Sequence, residues 1–66
     1  MRVTINDNEV EFTGNTLTEL LNVHGFGDRS GIAIAVNEIV IPRPEWQLYV
    51  LDEGDEILII IPAQGG

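Results

Sequence analysis

The chain contains no cysteine and no lysine. Without cysteine, disulfides, thiolate metal sites and thiol nucleophiles are excluded, and one hydrophobic core has to hold the fold. The three basic residues, Arg2, Arg29 and Arg43, are all arginines. No side-chain amine or thiol is therefore present to attack an activated acyl group, and self-conjugation through isopeptide bonds is chemically closed. Positive charge is scarce: three basic against eleven acidic side chains leave a net charge of −8. That balance repels phosphate backbones and argues against a nucleic-acid partner. It suits solubility, or encounter with a basic protein patch. Long apolar runs are also missing. The longest uncharged apolar stretch, Ile57 to Ala63, is far too short to cross a bilayer. No basic segment followed by a long apolar run opens the chain, so a soluble, cytoplasmic protein with no membrane partner is expected.

What the chain does have is enough apolar content for one core. Sixty-six residues, 44% of them hydrophobic, predict a single domain over residues 1–66. The stretch that organises it is Ile57-Leu58-Ile59-Ile60-Ile61, a β-branched run that reads as a strand buried on at least one face. Pro62 cannot donate to a sheet ladder and stops regular pairing. Residues 61–66 are then expected to form a flexible tail ending in Gly65-Gly66. Without Cβ atoms, such an end can thread a narrow channel. Its reactive group is the Gly66 carboxylate.

Before this strand, Val3 and Ile5 alternate with polar residues, as do Val10 and Phe12. Asp7-Asn8 between them predicts a hairpin with a two-residue loop. Thr16 and Glu19 form a capping-box pair, and Leu17, Leu20, Leu21 and His24 share one helical face. Gly25 then stops the helix. His24 has no motif around it and reads as a favourable cation near the helix C-terminus. Gly25-Phe26-Gly27 lacks the spacing of a phosphate-binding loop, and Phe26 is expected to plug the edge of the core. Ile32 to Val36 predicts a third strand, with Ala33 and Ala35 on the face opposite its larger residues. Ile39-Val40-Ile41 predicts a fourth, ended by Pro42 and Pro44. Pro44-Glu45-Trp46 predicts a tight or 3₁₀ turn that lays Trp46 over the core, where its indole N–H needs a partner. Asp52-Glu53-Gly54-Asp55 lacks the ligand spacing of a calcium loop and reads as a solvated turn into the last strand. No metal ligand set is expected.

The predicted order is β-β-α-β-β-β, an α+β fold in which the single helix covers one face of the sheet. In the last strand Ile57, Ile59 and Ile61 would face the helix, leaving Leu58 and Ile60 on the uncovered face. Such an exposed apolar patch on a small acidic protein marks a partner-binding surface.

Three segments carry a family resemblance: Ile34-Ala35-Val36-Asn37, Val40-Ile41-Pro42-Arg43-Pro44-Glu45-Trp46, and Leu51-Asp52-Glu53-Gly54-Asp55-Glu56-Ile57. With the Asn6-Asp7-Asn8 turn, Leu20-Leu21 and the Gly-Gly end, the chain resembles the ThiS sulfur carriers of thiazole (thiamin) biosynthesis. The resemblance implies a ubiquitin-like β-grasp fold with a mixed sheet. It also implies a co-substrate and not an enzyme, with no catalytic residue and no bound cofactor of its own. In that family a ThiF-like adenylyltransferase uses ATP to activate the terminal carboxylate, here that of Gly66. A sulfur donor such as a cysteine desulfurase or rhodanese-like protein then supplies a persulfide. The result is a C-terminal 1-thioglycine, from which a ThiG-like thiazole synthase takes sulfur. Gly65 and Gln64 would thread the partner's channel, and Leu58 and Ile60 would form the docking patch. Pro62-Ala63-Gln64 is reminiscent of another sulfur carrier, the small subunit of molybdopterin synthase. A ubiquitin-like protein modifier and a binding module with an inert tail are the alternatives from other functional classes.

Overall fold

The computed structural model describes residues 1–27 and 29–62. The elements follow the expected order: β1 (Arg2–Ile5), β2 (Asn8–Glu11), α1 (Leu17–Val23), β3 (Ala33–Val36), β4 (Ile39–Val40) and β5 (Glu56–Ile60), with a 3₁₀ turn over Arg43–Glu45 before β5. The sheet runs β2-β1-β5-β3-β4. β1 and β5 are parallel and the other neighbours antiparallel. The last strand in sequence is thus the central one in space, flanked by β1 and β3. One helix packed on a mixed sheet is the β-grasp arrangement that the family resemblance implied.

Helix α1 is closed at both ends by its own capping contacts. Thr16 caps the N-terminus, and the Glu19 carboxylate accepts from the backbone N–H groups of Thr16 (2.9 Å) and Asn15 (3.1 Å). At the other end Gly25 takes a φ of +82°. The N–H of Phe26 donates to the Leu21 carbonyl at 2.7 Å and that of Gly25 to Asn22 at 3.2 Å, the two bonds of a Schellman motif. His24 is the exposed C-cap residue, and it does not share the burial of Leu17, Leu20 and Leu21. Phe26 does pack against the core, as expected.

The core lies between α1 and one face of the sheet. Leu17, Leu20 and Leu21 meet Val3, Ile34, Val36, Ile57 and Ile59, and Phe12, Ile41, Trp46 and Leu51 close its margins. Full burial of such side chains stabilises by roughly 1.5–3 kcal/mol each. The Trp46 indole finds the partner it requires: Nε1 donates to the Ile41 carbonyl at 2.7 Å.

Four local expectations are corrected. The first hairpin turns at Asn6-Asp7 and not at Asp7-Asn8. Asn6 and Asp7 take φ values of 48° and 70°, and Ile5 pairs with Asn8, the geometry of a two-residue primed turn. Placing an asparagine first in the loop also lets its amide reach β5, which an aspartate could do only as an acceptor. Ile41 lies beyond the end of β4 yet is buried. Ile61 does not join Ile57 and Ile59 in the core. Pairing ends at Ile60, Pro62 restricts the residue before it, and Ile61 is 47% exposed. The Asp52–Asp55 segment is not wholly a solvated turn. Asp55 is buried, its carboxylate accepting from the Asn37 amide (3.0 Å) and the Asp52 N–H (2.8 Å).

Candidate functional site

The strand register determines which side chains stand on the face away from the helix. Thr4 pairs with Glu56, Ala35 with Leu58 and Val40, and Ala33 with Ile60. Because side chains alternate along a strand, Val40, Ala35 and Leu58 form one row across three strands, with Ala33 and Ile60 beside it. Leu58 is 49% and Ile60 40% exposed, so both stand where the sequence pattern put them. The alanines, left without a definite neighbour by the sequence, line the uncovered face. Their small side chains leave Leu58 and Ile60 standing proud. Val40, also exposed, is a member of this face that strand alternation in isolation did not reveal, since it required the β3–β4 register.

Carboxylates rim this apolar row. A shallow recess of about 170 Å³ is lined by Thr4, Asn6, Asp7, Ala35, Glu38, Glu56, Ile57 and Leu58. Three of these residues, Asp7, Glu38 and Glu56, carry negative charge. Among the described residues the one ion pair joins Arg2 to Glu11 at 3.0 Å, so the rim keeps its charge. Taking Leu58 out of water while pairing the rim needs a partner with an apolar contact and a basic border. No group of three or more metal-ligating side chains occurs among the described residues.

Asn6 was legible in the sequence only as a turn residue. Beyond Ile5 the chain leaves β5 to enter the hairpin, so the β1 side of Ile59 has no strand partner. The Asn6 side chain takes that place: Oδ1 accepts from the Ile59 N–H at 2.8 Å and Nδ2 donates to the Ile59 carbonyl at 3.4 Å. At the opposite end of β5, Asn37 plays a similar part. It also opens a two-residue turn with a positive φ of 51°, and its Oδ1 accepts from the Glu56 N–H at 3.0 Å. The central strand is thus held at each end by an asparagine amide standing in for a missing peptide.

The chain after Ile60 leads from the edge of the apolar row toward the C-terminus. Six further residues reach at most roughly 20 Å when extended. Gln64, Gly65 and Gly66, singled out from the sequence, lie outside the described residues. No helix among the described residues is long and apolar enough to cross a membrane.

The whole chain is similar to known proteins. It is 31% identical to the sulfur carrier protein ThiS of Escherichia coli (strain K12), over the full length of both. A crystal structure of the thiamine biosynthesis protein ThiS from Geobacter metallireducens superposes with a TM-score of 0.84 at 22% identity, with both chains fully covered. A solution structure of a thiamine biosynthesis protein from the same organism gives 0.77, covering all of this chain and 88% of that one. The model of the ThiS family matches residues 3–66. With a β-grasp core, a central last strand and an open face beside its C-terminal end, this chain belongs to the ThiS family.

Proposed function

We propose that this protein is a sulfur carrier that acts as a co-substrate, with the Gly66 carboxylate as its chemical site and the open face of the sheet as its docking surface. The full-length similarity to a ThiS sulfur carrier is the observation that carries the reading. The absence of lysine and cysteine supports it, because an activated acyl group on this chain meets no side-chain amine or thiol of its own.

A ThiF-like adenylyltransferase binds ATP and docks on the Leu58–Ile60 face through a basic border. The Gly66 carboxylate attacks the α-phosphorus, forming an acyl adenylate and releasing pyrophosphate. A persulfide on a sulfur-donor protein displaces AMP to give an acyl disulfide. A thiol then cleaves the sulfur–sulfur bond, becoming oxidised to a disulfide and leaving a C-terminal thiocarboxylate, the 1-thioglycine. Sulfur is a better nucleophile than the oxygen it replaces, and a ThiG-like thiazole synthase accepts it for the thiazole ring of thiamin. Gly65 and Gln64 pass through the partner's channel, where the lack of a Cβ at Gly65 keeps the tail narrow. The protein supplies position and the carboxylate that is activated; its partners supply the catalysis.

The direct test is an intact mass of the protein incubated with a ThiF-like enzyme, ATP, a persulfide donor and a thiol reductant. Replacement of one oxygen by sulfur, mapped to Gly66, is the expected result. An unmodified Gly66, with no ATP-dependent adenylate either, would overturn the proposal in favour of a binding module with an inert tail.

A further inference from the structure

The hydrogen bonds around β5 bear on how the tail is aimed. Two neighbours hold the last residues of this strand. On one side β3 pairs through Ala33 with Ile60. On the other side β1 ends at Ile5, and the backbone of Ile59 is held by the Asn6 side chain alone, through bonds of 2.8 Å and 3.4 Å. Asn6 is itself held. It opens a two-residue turn at φ 48°, a conformation asparagine tolerates better than most residues, and its own N–H donates to the Ile57 carbonyl at 3.0 Å. Turn and strand end therefore brace each other.

We infer that Asn6 is a positioning residue for the reaction at Gly66, fixing the point at which the tail leaves the sheet. This inference rests on the carrier reading above. A tail of six residues rooted at Ile60 has a defined origin relative to the docking face, because Leu58 and Ile60 belong to the strand that Asn6 clamps. Release of Ile59 on the β1 side lets the strand end swing on its β3 edge alone. The carboxylate then samples a larger volume when the docking face is seated, and misplacement of a reacting group by about 1 Å can lower a rate by up to about a hundredfold. Leu58 and the carboxylates of Glu38 and Glu56 lie away from the released end, so the affinity of the docked complex falls less than the rate does. Asn37 supplies the internal comparison. It makes a similar bond to Glu56 at the far end of β5, where loosening does not move the root of the tail.

The experiment uses the whole chain and a ThiF-like adenylyltransferase, following ATP–pyrophosphate exchange as a function of carrier concentration, with amide hydrogen exchange of the free carrier. Asn6→Gly keeps the left-handed turn accessible while removing the amide. Asn6→Asp keeps an acceptor for the Ile59 N–H but no donor for its carbonyl. Asn6→Gly is expected to speed exchange at the Ile59 amide and to lower kcat about tenfold, with a smaller change in KM. Asn6→Asp should recover part of both. Asn37→Gly should lower stability but leave kcat as in the parent. Should Asn6→Gly fail to fold, Asn6→Asp alone decides, with a fall in kcat larger than any rise in KM required. An unprotected Ile59 with an unchanged kcat would overturn the inference while leaving the carrier reading intact, and so would an equal loss of kcat in Asn37→Gly. Absence of exchange activity in the parent protein would overturn both.

Discussion

The indole of Trp46 and the carbonyl of Ile41 are joined by a buried hydrogen bond of 2.7 Å. It ties the turn after β4 to the core and satisfies a carbonyl that lies beyond the end of that strand. Trp46→Phe keeps most of the apolar contact but leaves this acceptor unpaired. The expected loss is about 1–3 kcal/mol, measured as a lower midpoint in urea denaturation with an unchanged slope. A midpoint equal to that of the parent would show that the bond adds nothing to stability.

Gly25 is the left-handed residue that ends α1, and a Cβ there would touch no heavy atom within 4 Å. Gly25→Ala therefore isolates a backbone effect. It should cost about 1–2 kcal/mol, visible in thermal unfolding, and no change in packing around Phe26 should accompany it.

The Glu19 carboxylate has its pKa lowered, first by the Thr16 N–H, then by the Asn15 N–H and the Thr16 hydroxyl. A folded-state pKa below the unfolded one means that folding favours the charged form. The contribution is complete above the unfolded pKa and disappears as pH falls through the folded one. Glu19→Gln should therefore be less stable than the parent at neutral pH, and the gap should close on acidification below the ordinary glutamate range. Urea titrations at a series of pH values measure the gap, and one that stays constant would refute the linkage.

Leu58 and Ile60 are exposed on the open face, so their replacement by aspartate should spare the fold. Leu58→Asp and Ile60→Asp are each expected to weaken binding to a ThiF-like enzyme by roughly tenfold to a hundredfold with a near-parental unfolding midpoint. Titration calorimetry against circular dichroism separates the two effects. Added salt should weaken the parent complex as well, because the carboxylate rim is solvent-accessible. Unfolding of Ile60→Asp would mean that the face carries stability and not recognition.

Removal of Gly66 should abolish ATP–pyrophosphate exchange while leaving circular dichroism and docking affinity unchanged. A shortened chain that is still adenylated would place the chemistry elsewhere.

Much of this protein is written in short-range pattern. The capping box at Thr16 and Glu19, the leucine spacing of α1 and the alternation in Val3–Ile5 and Ile57–Ile60 each act within a few residues. Local sterics and amphipathicity therefore suffice to place the helix and the strands. The same alternation was enough to put Leu58 and Ile60 outside the core. The family resemblance, too, rests on contiguous segments. Other features depend on residues far apart in the chain and have no local signature. Nothing in Asn6 announces that its amide will complete the ladder of Ile59, since that follows from β1 and β5 lying parallel and from β1 ending one turn too early. Asp55 looks like a turn carboxylate until Asn37 is brought against it by the β3–β5 pairing. Ile61 continues the apolar run, but only the point where its neighbours stop pairing leaves it outside the core. Side-chain periodicity selects faces, whereas the ends of strands and the partners of buried polar groups are chosen by whichever backbone groups the assembled sheet leaves unpaired.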